Sequence, residues 1–100
     1  MTAYVITYLD VTDAEAFAEY QAVAFPTIEP HGGRLLASGD KLEVMEGILR
    51  PQTVVIIAFD SIAQAKKWYA SPEYAETIPM RQRAASASMI FVEGLPPKLG

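Results

Sequence analysis

The chain contains no cysteine. That absence excludes disulfides, thiolate catalysis and cysteine-based zinc sites, and it fits a reducing compartment such as the cytoplasm. Histidine occurs once, at His31, and the carboxylates are scattered. No metal-ligand spacing emerges, and neither a metal nor a cofactor is expected. Basic charge is also scarce: eight Lys and Arg against twelve Asp and Glu leave a formal charge of −4. A nucleic-acid partner calls for a basic footprint and an anionic membrane surface for a polybasic patch, so neither is expected. Long hydrophobic runs are missing too. The longest, residues 54–59, is too short to span a bilayer, and "MTAYVITYLD" lacks the regions of a signal peptide. The expectation is a soluble cytoplasmic protein.

What is present is an ordinary globular composition, 51% hydrophobic and 20% charged over 100 residues. That predicts one domain, here residues 1–95, followed by a C-terminal tail at 96–100. A chain this short buries a modest share of its surface, so a partner subunit would add stability.

The segment "AYVITYLDV" is rich in β-branched and aromatic residues and predicts a strand. Thr12 to Glu15 reads as a capping box opening a helix that runs to about Ile28, with Phe17, Gln21, Ala24 and Ile28 on one stripe and Tyr20 beside it. In "HGGR", Gly32-Gly33 permits a reversal into the strand "RLLAS". Gly39-Asp40 reads as a turn or bulge, after which "KLEVMEG" is expected to resume extended structure, as one bent strand or a small hairpin. "TVVIIAFD" is the clearest strand. Ser61 to Gln64 opens a second helix, and Ser71-Pro72 signals a further short helix that is expected to break near Pro79. "SASMIFVEG" is the last strand.

Strand, helix, strand, strand, helix, strand is the order of the ferredoxin-like βαββαβ plan, an α+β fold with an antiparallel sheet and its helices on one face. Helices cover one side only, yet Val54, Ile56 and Ala58 alternate with Val55, Ile57 and Phe59, making both faces of that strand apolar. The implied cover for the second face is another copy of the chain, a homodimer joined through the sheet.

The stretches "YVITYLDVTDAEAFAEY" and "HGGRLLASGDKLEVMEG", the strand "VVIIAF" followed by Ser61, "AKKWYASPEY" and the pair Arg81/Arg83 resemble the domain of unknown function 1330 family. The resemblance runs from Tyr4 to about Gly94. It implies the dimeric α/β-barrel superfamily, in which two ferredoxin-like subunits join sheet to sheet and a ligand usually sits between sheet and helices. It implies no reaction, since related barrels include monooxygenases, isomerases, dehalogenases and haem-degrading enzymes.

Candidate site residues follow from residue chemistry. "HGGR" is either a helix stop, turn and strand start, or a place where His31 and Arg34 line a cleft mouth. On an extended segment Glu46 shares a face with Leu42 and Val44. It is then either an exposed strand residue or a carboxylate paired with Arg34, as acid/base with an anion anchor or as a structural ion pair. Trp68, Tyr69 and Tyr74 are core or interface aromatics or substrate clamps, and Tyr8 and Tyr74 are expected to shape the pocket. Ser71 is most simply a helix cap. Arg81 and Arg83 diverge on a helix but share a face on extended chain, where they suit a carboxylate ligand; otherwise they are solvated or paired with Glu73 or Glu76.

The expected function is binding of a small anionic or aromatic compound. As an enzyme it would perform cofactor-independent proton transfer or oxygen addition, with Glu46 or His31 as base and Arg34 as anion anchor. The alternatives are a non-catalytic binding or interaction module, and haem ligation by His31.

Overall fold

The structure, a computed structural model, describes residues 1–96, so all but the first residue of the expected tail lies outside the described residues. Four strands, β1 (Ala3–Val11), β2 (Arg34–Gly39), β3 (Thr53–Phe59) and β4 (Ala85–Glu93), form one antiparallel sheet in the order β2-β3-β1-β4. Helices α1 (Ala14–Ala24), α2 (Ile62–Ala70), α3 (Pro72–Ala75) and α4 (Ile78–Ala84) complete the element order. This is the expected ferredoxin-like α+β fold. The sheet of the single chain is open, not a closed barrel.

Strand alternation decides what is buried. Val5 and Leu9 of β1, with Val55, Ile57 and Phe59 of β3, face the helices and pack against Phe17, Tyr20, Ala24, Ile28, Trp68 and Tyr74. On the opposite face Ile6 lies between Ile56 and Ile90, and Tyr4 between Ala58 and Val92. No helix among the described residues covers that face; Ile90 and Val92 stay 48% and 44% exposed.

Several local expectations are revised. The cap of α1 is Asp13, whose carboxylate accepts the Ala16 N–H at 3.0 Å. The Thr12 hydroxyl instead donates to the Ala84 carbonyl at 3.2 Å, tying the start of α1 to the end of α4. The α-helix stops at Ala24, and two short 3-10 turns, Phe25–Thr27 and Glu29–His31, carry the chain onward. Pro26 and Pro30, which lack the N–H an α-turn would use, open these turns. The expected break near Pro79 falls at residues 76–77, between α3 and α4; Pro79 itself sits in the first turn of α4, where no N–H is missed.

"KLEVMEG" is not a strand. β2 leaves β3 at Gly39, opposite Val54, and the Leu42 N–H donates back to the Asp40 carbonyl at 3.0 Å. Gly47 takes a left-handed conformation, φ +92°. Residues 40–52 form an irregular loop whose Ile48 is 99% exposed.

"HGGR" is the stop, turn and strand start. Gly32 caps the second 3-10 turn at φ +83°, and its N–H donates to the Glu29 carbonyl at 2.9 Å. Gly33 is glycine for another reason: a Cβ there would lie 2.7 Å from Ile28 and from the Phe59 ring.

Candidate binding cleft

Between the sheet and the helices lies a small cavity of about 20 Å³. Thr7 and Leu9 of β1, Val55 and Ile57 of β3 and Met89 of β4 form its floor. Phe17, Tyr20 and Ala24, three and four residues apart on one stripe of α1, form its roof with Phe25, Ile28, Trp68 and Tyr74. The lining is almost entirely apolar and aromatic.

The local sequence places these rings. Ser71 ends α2 and caps α3: its oxygen accepts the Tyr74 N–H at 3.3 Å while its hydroxyl donates to the Trp68 carbonyl at 2.7 Å. That turn sets Trp68 and Tyr74 with ring centroids 4.1 Å apart. The Trp68 indole N–H donates to Thr27 Oγ1 at 2.9 Å, which holds the far side of the ring.

At the Tyr74 end three polar groups meet in the core. Arg81 Nη1 donates to the Tyr74 phenol oxygen at 2.8 Å, and the Tyr74 and Tyr20 oxygens lie 3.0 Å apart. Arg81 is only 8% exposed. No carboxylate pairs with it among the described residues, and its buried Nε has no hydrogen-bond partner there. A buried cation without a counter-ion is costly.

Ionisation states follow from these neighbours. Burial, reinforced by the adjacent Tyr20 and opposed by Arg81, raises the Tyr74 pKa far above its ordinary value, so it stays a neutral phenol. Burial works against the charge of Arg81, but the tyrosine oxygens outweigh it and the pKa is raised. The cluster therefore offers N–H and O–H donors beside an apolar chamber. Chemically it suits an oxygen acceptor carried on an apolar or aromatic body.

The structure brings two of the expected site residues together, Tyr74 and Arg81. Arg83, two residues on along α4, points elsewhere and is exposed. Arg34 lies at the start of β2 with Nη1 3.8 Å from Asp60 Oδ1, while Glu46 is exposed in the irregular loop and makes no ion pair among the described residues. His31 sits at the outer side of the helical layer. Its Nδ1 is 2.8 Å from the Thr27 carbonyl and its Nε2 is 3.7 Å from Glu73. Tyr8 is on the open sheet face, beside a depression lined by Ile48, Leu49 and Pro51. Tyr20 and Thr7 line the cavity and were not among the expected residues. Tyr20 was legible only as the neighbour of the Phe17 stripe.

Comparison with known proteins agrees with this architecture. The chain belongs to the family described as a domain of unknown function (DUF1330), whose profile matches residues 2–95. A protein of unknown function from Rhodopseudomonas palustris is 23% identical with a TM-score of 0.77, over 96% of this chain and 84% of that one. A dimeric ferredoxin-like protein of unknown function from Jannaschia is 13% identical with a TM-score of 0.77, over 94% of this chain and 100% of that one. SnoaB, a cofactor-independent oxygenase from Streptomyces nogalater, is 9% identical with a TM-score of 0.67, over 96% of this chain and 95% of that one. At these identities the likeness is one of fold. No curated protein matches the chain.

Proposed function

We propose that this member of the DUF1330 family is a homodimeric small-molecule-binding protein that holds an organic anion with an aromatic or apolar body between sheet and helices. The observation that carries the reading is Arg81, buried with no carboxylate partner among the described residues and bonded to Tyr74, which lines the aromatic cavity. An anionic ligand would supply the missing counter-charge. In its present form the cavity has room for about one water, so the ligand takes its space by displacing the half-buried Phe25 and Met89 from the wall. The homodimer is supported by the apolar open sheet face and by structural neighbours described as dimeric.

In this reading Arg81 takes the anchoring role that the sequence suggested for Arg34. The reaction, if the bound compound turns over, is cofactor-independent proton transfer or oxygen addition at an activated carbon. His31 or Glu46 would serve as its base only after a rearrangement, because neither lines the cavity. That same observation favours a second reading, binding without turnover: no imidazole or carboxylate is among the lining residues. Consumption of any bound compound by the purified protein would refute the second reading.

The test of binding is calorimetric titration with benzoate and related aromatic carboxylates, on the wild type and on Arg81→Gln. Binding by the wild type, weakened roughly tenfold or more in the variant, is expected. Binding that Arg81→Gln leaves unchanged, or failure of the wild type to bind aromatic carboxylates and phenolates alike, would overturn the reading.

A further inference from the structure

The hydrogen bonds of the Arg81–Tyr74–Tyr20 cluster do not close, and the surplus has a definite sign. A guanidinium donates and accepts nothing. The two phenols carry two protons, and the single contact between their oxygens, at 3.0 Å, uses one of them. Neither phenol has another protein acceptor among the described residues. One phenolic O–H is therefore left over, whichever way the central bond points. Both rings line the cavity.

Polarisation chooses which proton it is. Tyr74 accepts from the charged Arg81 at 2.8 Å, and a phenol that accepts from a cation becomes the stronger donor in a chain. With Tyr74 as donor of the central bond, the Tyr20 proton is left at the end of the chain.

We propose that the chain Arg81→Tyr74→Tyr20 is a relay whose terminal Tyr20 O–H, backed by the guanidinium charge, binds the anionic oxygen of a phenolate or enolate in the cleft. The inference rests on the cleft-binding reading and adds to it the contacting residue and the ligand class. A terminal phenol donor gives one strong hydrogen bond to one oxygen. That matches the localised oxygen of a phenolate or enolate better than the paired oxygens of a carboxylate, which a guanidinium grips with two parallel bonds. The aromatic faces of Phe17 and Trp68, with Phe25 displaced as above, suit the planar body such a compound carries. Tyr20 is then a ligand-contacting residue, and Tyr74 a positioning residue that passes on the polarisation.

The probe is p-nitrophenol, whose neutral and ionised forms differ in colour. It also quenches tryptophan fluorescence, and Trp68, which lines the cavity, is the chain's single tryptophan. Intact wild-type protein, titrated with the probe across pH, is expected to quench Trp68 and to bind the ionised form, lowering the apparent pKa of the bound probe and releasing its proton to water. Tyr20→Phe keeps the ring and removes the donor; it is expected to weaken nitrophenolate binding roughly 10- to 100-fold and to abolish the pKa shift while quenching by the neutral form persists. Tyr74→Phe breaks the relay and should diminish the same shift. If Tyr20→Phe binds nitrophenolate as the wild type does, or if the wild type prefers the neutral phenol, the relay is overturned while the cleft-binding reading stands. If nitrophenol neither quenches Trp68 nor binds in either form, and the aromatic carboxylates fail likewise, the cleft-binding reading falls and the relay with it.

Discussion

Replacement of Gly33 by alanine is a sharp test of how the turn meets the core. The added Cβ would lie 2.7 Å from Ile28 Cγ2 and from two atoms of the Phe59 ring. Neither neighbour is free to yield. Phe59 is fully buried and its ring packs 5.4 Å from that of Trp68, while Ile28 is 3% exposed and lines the cavity. Overpacking of this kind costs about 1–3 kcal/mol, and the lower entropy of the unfolded alanine chain offsets only about 0.4–1 kcal/mol of it. With a urea m-value of about 1–2 kcal/mol/M, the unfolding midpoint should fall by roughly 1 M, measured at fixed protein concentration because a dimer's stability depends on it. Asparagine supplies the control, since it tolerates the left-handed conformation better than alanine. At Gly32, where φ is +83° and the nearest atom to a Cβ is 3.7 Å away, asparagine should be milder than alanine. At Gly33, where space is the constraint, it should be worse. Wild-type stability in Gly33→Ala, or the same ranking of the two substitutions at both positions, would refute the reasoning.

Three further outcomes are expected. Ser71→Ala removes the cap of α3 and the bond to the Trp68 carbonyl; denaturation should show a loss of about 1–2 kcal/mol. Tyr74 has a folded-state pKa above its unfolded one, so its burial contributes stability that is complete below the ordinary tyrosine pKa of about 10 and is lost as rising pH ionises the unfolded chain. Phenolate absorbance of the native protein should therefore lack Tyr74 until the fold opens, and Tyr74→Phe should leave the native titration amplitude unchanged; a drop by one tyrosine's share would contradict the assignment. Ile56→Lys places a charge between Ile6 and Ala37 on the open sheet face and should turn a dimer into a monomer by sedimentation, with helical content retained.

Much of the architecture was legible because it rests on local periodicity. The two-residue alternation of β1 and β3, the Phe17–Ala24 spacing of α1 and the caps at Ser61 and Ser71 each follow from the chain's own geometry. What was hidden depends on partners far along the sequence. Thr12 and Asp13 both have cap chemistry, and the Ala84 carbonyl, 72 residues away, draws Thr12 off. "KLEVMEG" alternates as a strand does, but β2 parts from β3 at Gly39 and leaves it no ladder to join. Arg81 and Arg83 look alike in sequence; only the seating of α4 against α1 buries one beside Tyr20 and Tyr74 and leaves the other in solvent. The Glu46–Arg34 pairing drew on sequence proximity, whereas Arg34 lies near Asp60 at the other end of the β2–β3 ladder.

The charge of Arg81, acting through Tyr74, is proposed to hold a small organic anion inside a homodimer. Native mass spectrometry of the gently purified protein, wild type beside Arg81→Gln, with denatured masses for reference, tests it directly. The expected result is a wild-type dimer carrying extra mass that leaves on denaturation, and an Arg81→Gln dimer without it. A bare wild-type dimer, the same bound mass in both proteins, or a monomer would contradict it.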